Sequence, residues 1–406
     1  MSTNKVLGLL VFIMIIAAPF FQYIAYTAAF FSFVLLLRAD AKGVASVIRE
    51  QRSIVYICTA IGLSTIFAIA PWHSMLTGVL VILHLIAYIA IIRYINKDNI
   101  EHIFKLLNII GIVICIYGVY QYITGNLNVD KSWTDESSYG SLLRVYSTLR
   151  NPNIFAAYLT FNISFAVSYL LKKQTDAYTT INLVLSSLCL IWTYSRGGFI
   201  AFAAAMLFIA IFCKQPKVGI YLSAMMLLSF GLNTLQHNDR SSISKLASDS
   251  SSMYRIEIWK ASWDLFKSNF VFGGGLGSVP KQLSYSSTTL KGYIFHSHNM
   301  LLHIMTETGI FGLSIFIAMI ISGYKSFFTF WKSYGQSNHS YIAMGFAASL
   351  TAMLVHGMVD CPVMIPSRSL VFLIYIALFP ALYAKLCYSS KKPATLDSEY
   401  WISDEG

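Results

Sequence analysis

The sequence predicts an all-α polytopic membrane protein of about twelve transmembrane helices, and three observations carry that prediction. Of its 406 residues, 56% are hydrophobic and 12% charged, with a mean hydropathy of +0.62. A soluble domain has no means of hiding so much apolar surface. Apolar runs of helical length recur along the whole chain. Prolines fall at the run boundaries, at Pro19, Pro71, Pro152, Pro216, Pro362 and Pro366, where a missing N–H costs least.

Taken in order, the spans are expected near 6–18, 22–37, 53–70, 74–93, 104–123, 152–171, 178–195, 197–213, 218–235, 309–324, 341–358 and 369–387. The first two are short and divided by Pro19 and Gln22 into a tight hairpin. Lys5 and the apolar run after it could mimic a signal peptide, but a small-residue cleavage site is missing, so the run reads as a retained first helix. The division is therefore 1–235 for helices 1–9, 236–308 for a large outer loop with amphipathic helices, 309–390 for helices 10–12, and 391–406 for a polar tail.

Basic residues orient the bundle. Arg38, Lys42, Arg49, Arg52, Arg93, Lys105, Lys172, Lys217, Lys325 and Lys332 all fall on one side, whereas the turns at Pro19 and Pro71 carry none. By the positive-inside rule that side is cytoplasmic, with both termini and the tail. The formal charge of +11 is thus spent on topology and does not signal nucleic acid. The six cysteines include no CxxC pair, which implies neither a disulfide framework nor a zinc site.

The remaining polar residues gather on the outer face: Arg144, Arg150, Arg196, Arg255, His296, His298, Asp360 and Arg368, from separate parts of the chain. Arg196, in Tyr194-Ser195-Arg196-Gly197-Gly198, is either a snorkelling helix end or an anion clamp whose planar fork suits phosphate oxygens. Arg255 opens an amphipathic stretch with Trp259 and Trp263 at i, i+4. Such a helix would lie along the outer leaflet, with Arg255 as a plain interfacial charge or aimed towards Arg196.

His298 has three readings. It is a structural interfacial residue, half of a His296–His298 metal pair completed by Asp360 or Glu307, or a general base removing a proton from a sugar hydroxyl, oriented by Asp360. His303 and Glu307 suit an interfacial helix over 298–308, with the true span starting at Gly309. His356 reads as a satisfied helix-end histidine. The run Gly273-Gly274-Gly275-Leu276-Gly277 follows no strand, so it reads as a flexible turn and not a nucleotide loop.

These residues resemble the O-antigen ligase superfamily of bacterial envelope enzymes, which takes in WaaL ligases, Wzy-type polymerases and protein O-oligosaccharyltransferases. His298-Asn299, nine residues, Gly309, two residues and Gly312 fit the ligase pattern. The stretch from Arg144 to Asn153, Ser195-Arg196-Gly197-Gly198, and Arg255 with Trp259 are similar to other family motifs. The resemblance implies a GT-C-type, inverting glycosyltransferase of the bacterial inner membrane, independent of metal and cofactor, with its active site facing the periplasm. The donor would be a glycan on undecaprenyl pyrophosphate and the acceptor a lipid A-core sugar. On that resemblance Arg196 and Arg255 hold the pyrophosphate, Arg144 or Arg150 assists, and His298 deprotonates the acceptor; Asp360 and Arg368 are assigned by position. A polymerase or protein transferase would use the same residues. A bicarbonate-like transporter, the reading from another class, would place polar residues near the midplane, and this chain concentrates its charge at one face.

Overall fold

The computed structural model describes residues 3–96, 98–125, 144–172, 176–235, 250–286, 294 and 296–387. The tail 391–406, Lys97, most of the first outer loop and the outer stretches 236–249 and 287–293 lie outside the described residues. Within them the chain is helical, with no strand. The helices are α1 (Thr3–Ala17), α2 (Gln22–Ala39), α3 (Ala41–Glu50), α4 (Ser53–Ile66), α5 (Pro71–Tyr94) and α6 (Ile100–Thr124). After a short turn at Ser147–Leu149 come α7 (Pro152–Lys172), α8 (Ala177–Trp192), α9 (Arg196–Cys213) and α10 (Pro216–Leu235). The remainder are α11 (Ser250–Ser268), α12 (Ser278–Ser286), α13 (Met300–Tyr334), α14 (Ser340–Gly357) and α15 (Pro366–Cys387).

Eight of these, α2, α5, α6, α7, α9, α13, α14 and α15, are long and apolar enough to cross a membrane by length and composition. The shorter apolar helices α1, α4, α8 and α10 occupy the four other expected positions. One helix was not anticipated. α3 buries Val44 and Val47 along one side, and its ten residues, with Lys42, Arg49 and Glu50 flanking that stripe, are too short and too charged to register as a span.

The enclosed centre is the pair α7 and α14, which pack on one another and on α9. Small residues let them approach: a Cβ on Gly345 would stand 2.6 Å from the Phe165 ring. Nearby, three helices are tied by amides. Asn162 Nδ2 donates to Asn182 Oδ1 (2.8 Å), Asn182 Nδ2 to Asn108 Oδ1 (2.7 Å), and the Tyr375 hydroxyl to Asn162 Oδ1 (3.1 Å). Buried amides in an apolar bundle hold helices in register only when paired in this way.

At the C-terminal end of α7, Lys172 donates to the Gly335 carbonyl (2.7 Å), and elsewhere Arg93 pairs with Asp40. At the N-terminal end of α7 lies the candidate site.

α13 is broken at Gly309, whose φ of 66° and ψ of −166° are non-helical. This separates residues 300–308 from the long apolar helix beyond, with the break at the position where the sequence reading starts the span. The glycine run, expected to be a flexible turn, docks into the break instead. Ile310 N–H donates to the Phe270 carbonyl (2.9 Å) and Phe311 N–H to that of Val271 (3.2 Å). In return Gly274 N–H donates to the Thr306 carbonyl (2.8 Å) and Gly275 N–H to that of Glu307 (3.1 Å). The groups orphaned by the break are satisfied by the loop. Only glycines permit the contact: a Cβ on Gly273 would lie 2.3 Å from Glu307 C, and one on Gly309 2.3 Å from Val271 O.

Candidate active site

The site begins with Asn151-Pro152-Asn153. Asn151 Oδ1 accepts from Asn153 N–H (2.8 Å) and Ile154 N–H (3.2 Å), and Pro152 takes the first helical position, where its lost donor is no cost. The capped start of α7 fixes Asn153, which becomes a hub. Its Oδ1 accepts from Arg144 (2.9 Å) and from the Ser195 hydroxyl (3.0 Å), and its Nδ2 donates to Asp360 Oδ2 at 2.6 Å. Arg144 is also anchored by its Nε to the Thr193 carbonyl (2.9 Å).

α9 points its N-terminus at the same place. Ser195 caps it through Gly198 N–H (3.2 Å), so Arg196 and Gly197 form the first turn, where the helix dipole favours an anion. Tyr194, just before, has a left-handed φ of 48°. Arg144, Arg196, Arg255, Asn153, His356 and Asp360 are among the residues lining one cavity of ≈ 50 Å³. That is room for about two water molecules, so an anion here meets the walls directly.

Asp360 connects the cavity to the histidines. Its Oδ1 lies 3.3 Å from His298 Nδ1 and 3.8 Å from His296 Nδ1, and accepts from Cys361 N–H (2.8 Å). Burial pushes its carboxyl up, but contact with His298 and the charges of His298, His296 and Arg255 win and hold it well below the usual carboxylate range. His296 is pushed down to about 3, by burial first and by the charge of His298 next, against the pull of Asp360. As a neutral ring, its Nδ1 accepts from His298 N–H (3.2 Å).

His298 itself is held with φ at 48°, a conformation a non-glycine residue keeps only when its surroundings impose it. Trp259 Nε1 donates to the His298 carbonyl (3.1 Å). On the other side Asn299 Nδ2 donates to the Met358 carbonyl (3.0 Å), while its Oδ1 caps α13 through Leu302 N–H (3.1 Å). Trp259, read from the sequence as a headgroup anchor, is thus recruited to the site, and Trp263 remains exposed.

Of the candidate residues, Arg144, Arg196, Arg255 and Asp360 share the cavity and His298 adjoins it through Asp360. Arg150 and Arg368 are not on its wall; they lie near enough to one another for their charges to repel. His356, expected to be a satisfied helix-end histidine, lines the cavity, and its Nδ1 has no partner among the described residues. Asn153 closes the Arg144–Asn153 stretch, and its place after a cap and a proline is the signal the sequence offers for it. His303 and Glu307 stand 3.7 Å apart in the part of α13 before Gly309.

The arrangement offers two chemistries. Three guanidiniums and a helix N-terminus suit a polyanion, next to a carboxylate-supported imidazole able to move a proton. The ligand atoms of His296, His298 and Asp360 also lie within 4.8 Å of one another, a spacing able to hold a divalent cation.

Residues 181–317 are similar to the family model for O-antigen ligase. The match takes in Arg196, Arg255 and His298, and supports a ligase- or polymerase-like role in O-antigen processing. No curated protein matches the chain.

Proposed function

We propose that the protein is an O-antigen ligase, transferring a glycan from undecaprenyl pyrophosphate to a lipid A-core sugar hydroxyl at the periplasmic face of the bacterial inner membrane. The observation that carries this reading is the meeting of Arg144, Arg196 and Arg255 on one cavity whose wall includes Asp360, the partner of His298.

In this reading the guanidiniums and the first turn of α9 hold the pyrophosphate. Asp360, facing His298 Nδ1, keeps that nitrogen protonated and leaves Nε2 as the base. The acceptor oxygen attacks the anomeric carbon while its proton passes to Nε2. The bond from the anomeric carbon to the phosphate oxygen breaks, and undecaprenyl pyrophosphate departs with the electron pair, its charge met by the arginines. Attack opposite the leaving group inverts the anomeric centre. Each step uses a side chain of this chain, without metal.

The test is reconstitution of purified protein with undecaprenyl-pyrophosphate glycan, with and without lipid A-core, beside His298→Ala. Transfer that requires lipid A-core and is lost in the variant supports the ligase. Ladders from donor alone would make the same site a polymerase, and transfer to neither would overturn the proposal.

A further inference from the structure

Behind the arginines the cavity has a wall that the mechanism above leaves unused. His356, near the end of α14, is 2% exposed yet lines the cavity. Its carbonyl accepts from Val359 N–H and Asp360 N–H, both at 3.0 Å, so its backbone and that of Asp360 are built as one turn. Its Nδ1 is buried with no partner among the described residues. Its Cδ2–Nε2 edge faces Gly197: a Cβ there would stand 3.1 Å from Cδ2 and 3.3 Å from Nε2. Gly197 lines the same cavity, so the absence of a side chain is what leaves this edge open.

We propose that His356 is a further donor of the pyrophosphate site, a neutral imidazole whose Nε2–H binds a phosphate oxygen of the lipid-linked substrate. This rests on the ligase reading, and it adds to that reading a recognition element carrying no charge. A sealed bare lone pair at Nδ1 is tolerated better than a sealed, unpaired N–H, so the proton belongs on Nε2. A neutral donor reads the geometry of the anion, and it strengthens as charge accumulates on the departing pyrophosphate. Since it touches the leaving group, its loss acts on both binding and turnover.

The experiment compares wild type, His356→Gln, His356→Leu and Gly197→Ala in detergent, after size-exclusion chromatography shows each folded. Binding of undecaprenyl pyrophosphate is measured by native mass spectrometry, and turnover with lipid A-core is split into kcat and KM. His356→Leu is expected to weaken binding ~10-fold or more and to lower kcat. His356→Gln, which keeps an N–H donor, should recover most of both. Gly197→Ala, whose Cβ would press on Val359 Cγ2 (2.8 Å) as well as on the imidazole edge, should weaken binding too. Wild-type binding with His356→Leu unchanged in binding and kcat overturns this inference and leaves the ligase reading standing. Equal losses in His356→Gln and His356→Leu also overturn it, by making the residue a packing element. Wild type that does not bind the pyrophosphate overturns the ligase reading itself, and this inference with it.

Discussion

Asn153 donates to Asp360 at 2.6 Å, and through that one bond the arginine cluster and the histidine pair become parts of one site. The Asn153 carbonyl oxygen fixes Arg144 and Ser195, while its amide nitrogen fixes the carboxylate facing His298. Asn153→Ala is therefore expected to lower kcat ~10- to 100-fold, since small misplacements of reacting groups cost that much. Asn153→Asp should do worse, because a second carboxylate replaces the donor to Asp360 and repels it. Steady-state kinetics on folded protein check both; unchanged kcat in Asn153→Ala would remove the hub.

Gly273 and Gly309 meet backbone to backbone, with no space for a Cβ on either, and both have left-handed φ values, 74° and 66°. Ala at either position is expected to cost about 3 kcal/mol or more and to lower the melting temperature in detergent by several degrees. The loss should extend to activity, because the helical segment that Gly309 terminates is capped at its other end by Asn299, the residue next to His298. Gly62, which has nothing within 4 Å of its Cβ position, is the control and should accept Ala without loss.

The sequence made the bundle and much of the site legible, for reasons these residues show. Long apolar runs and boundary prolines report spans directly, and Gly309 reported a helix start because two polar residues, His303 and Glu307, precede it. Arg144, Arg196, Arg255 and Asp360 were grouped by topology alone. Topology puts residues on a face and gives no distances, so it also grouped Arg150 and Arg368, which stand apart from the cavity. Asn153, His356 and the docking of the glycine run depend on tertiary contacts with Asp360, Gly197 and the break at Gly309, partners distant in the chain. α3 was missed because its stripe is too short to register as a span.

Acid should weaken the fold through His296. Its folded pKa, about 3, lies below the ~6.5 of an unfolded histidine, so between those values the unfolded chain binds a proton the native state refuses. Stability thus rises with pH across the window and falls on acidification. From pH 7 to pH 5 the loss from this residue is about 2 kcal/mol. Asp360, held below the carboxylate range, keeps its contribution until the pH falls below ~4, outside this interval. The drop in melting temperature from pH 7 to pH 5 should be smaller in His296→Gln than in wild type; an equal acid loss in variant and wild type would assign it to other groups.

Metal ions give the sharpest check on His298 as a base. The separations of 3.3 and 3.8 Å between Asp360 Oδ1 and the two Nδ1 atoms are near the ~3.3 Å between donors of a tetrahedral zinc with bonds of about 2.0–2.1 Å. Zinc bound there would use His298 Nδ1 and Asp360 together, dissolving the contact that keeps the base in its working tautomer. Transfer is expected to continue at full rate in EDTA and to fall on adding micromolar zinc, with recovery on chelation. Asp360→Asn should lose most of the basal rate, and His296→Gln should lose zinc sensitivity, as its ligand is gone. Magnesium, which prefers octahedral oxygen ligands, should have no effect. If EDTA abolishes transfer and zinc restores it, the three side chains are ligands of a required ion and His298 is not the base.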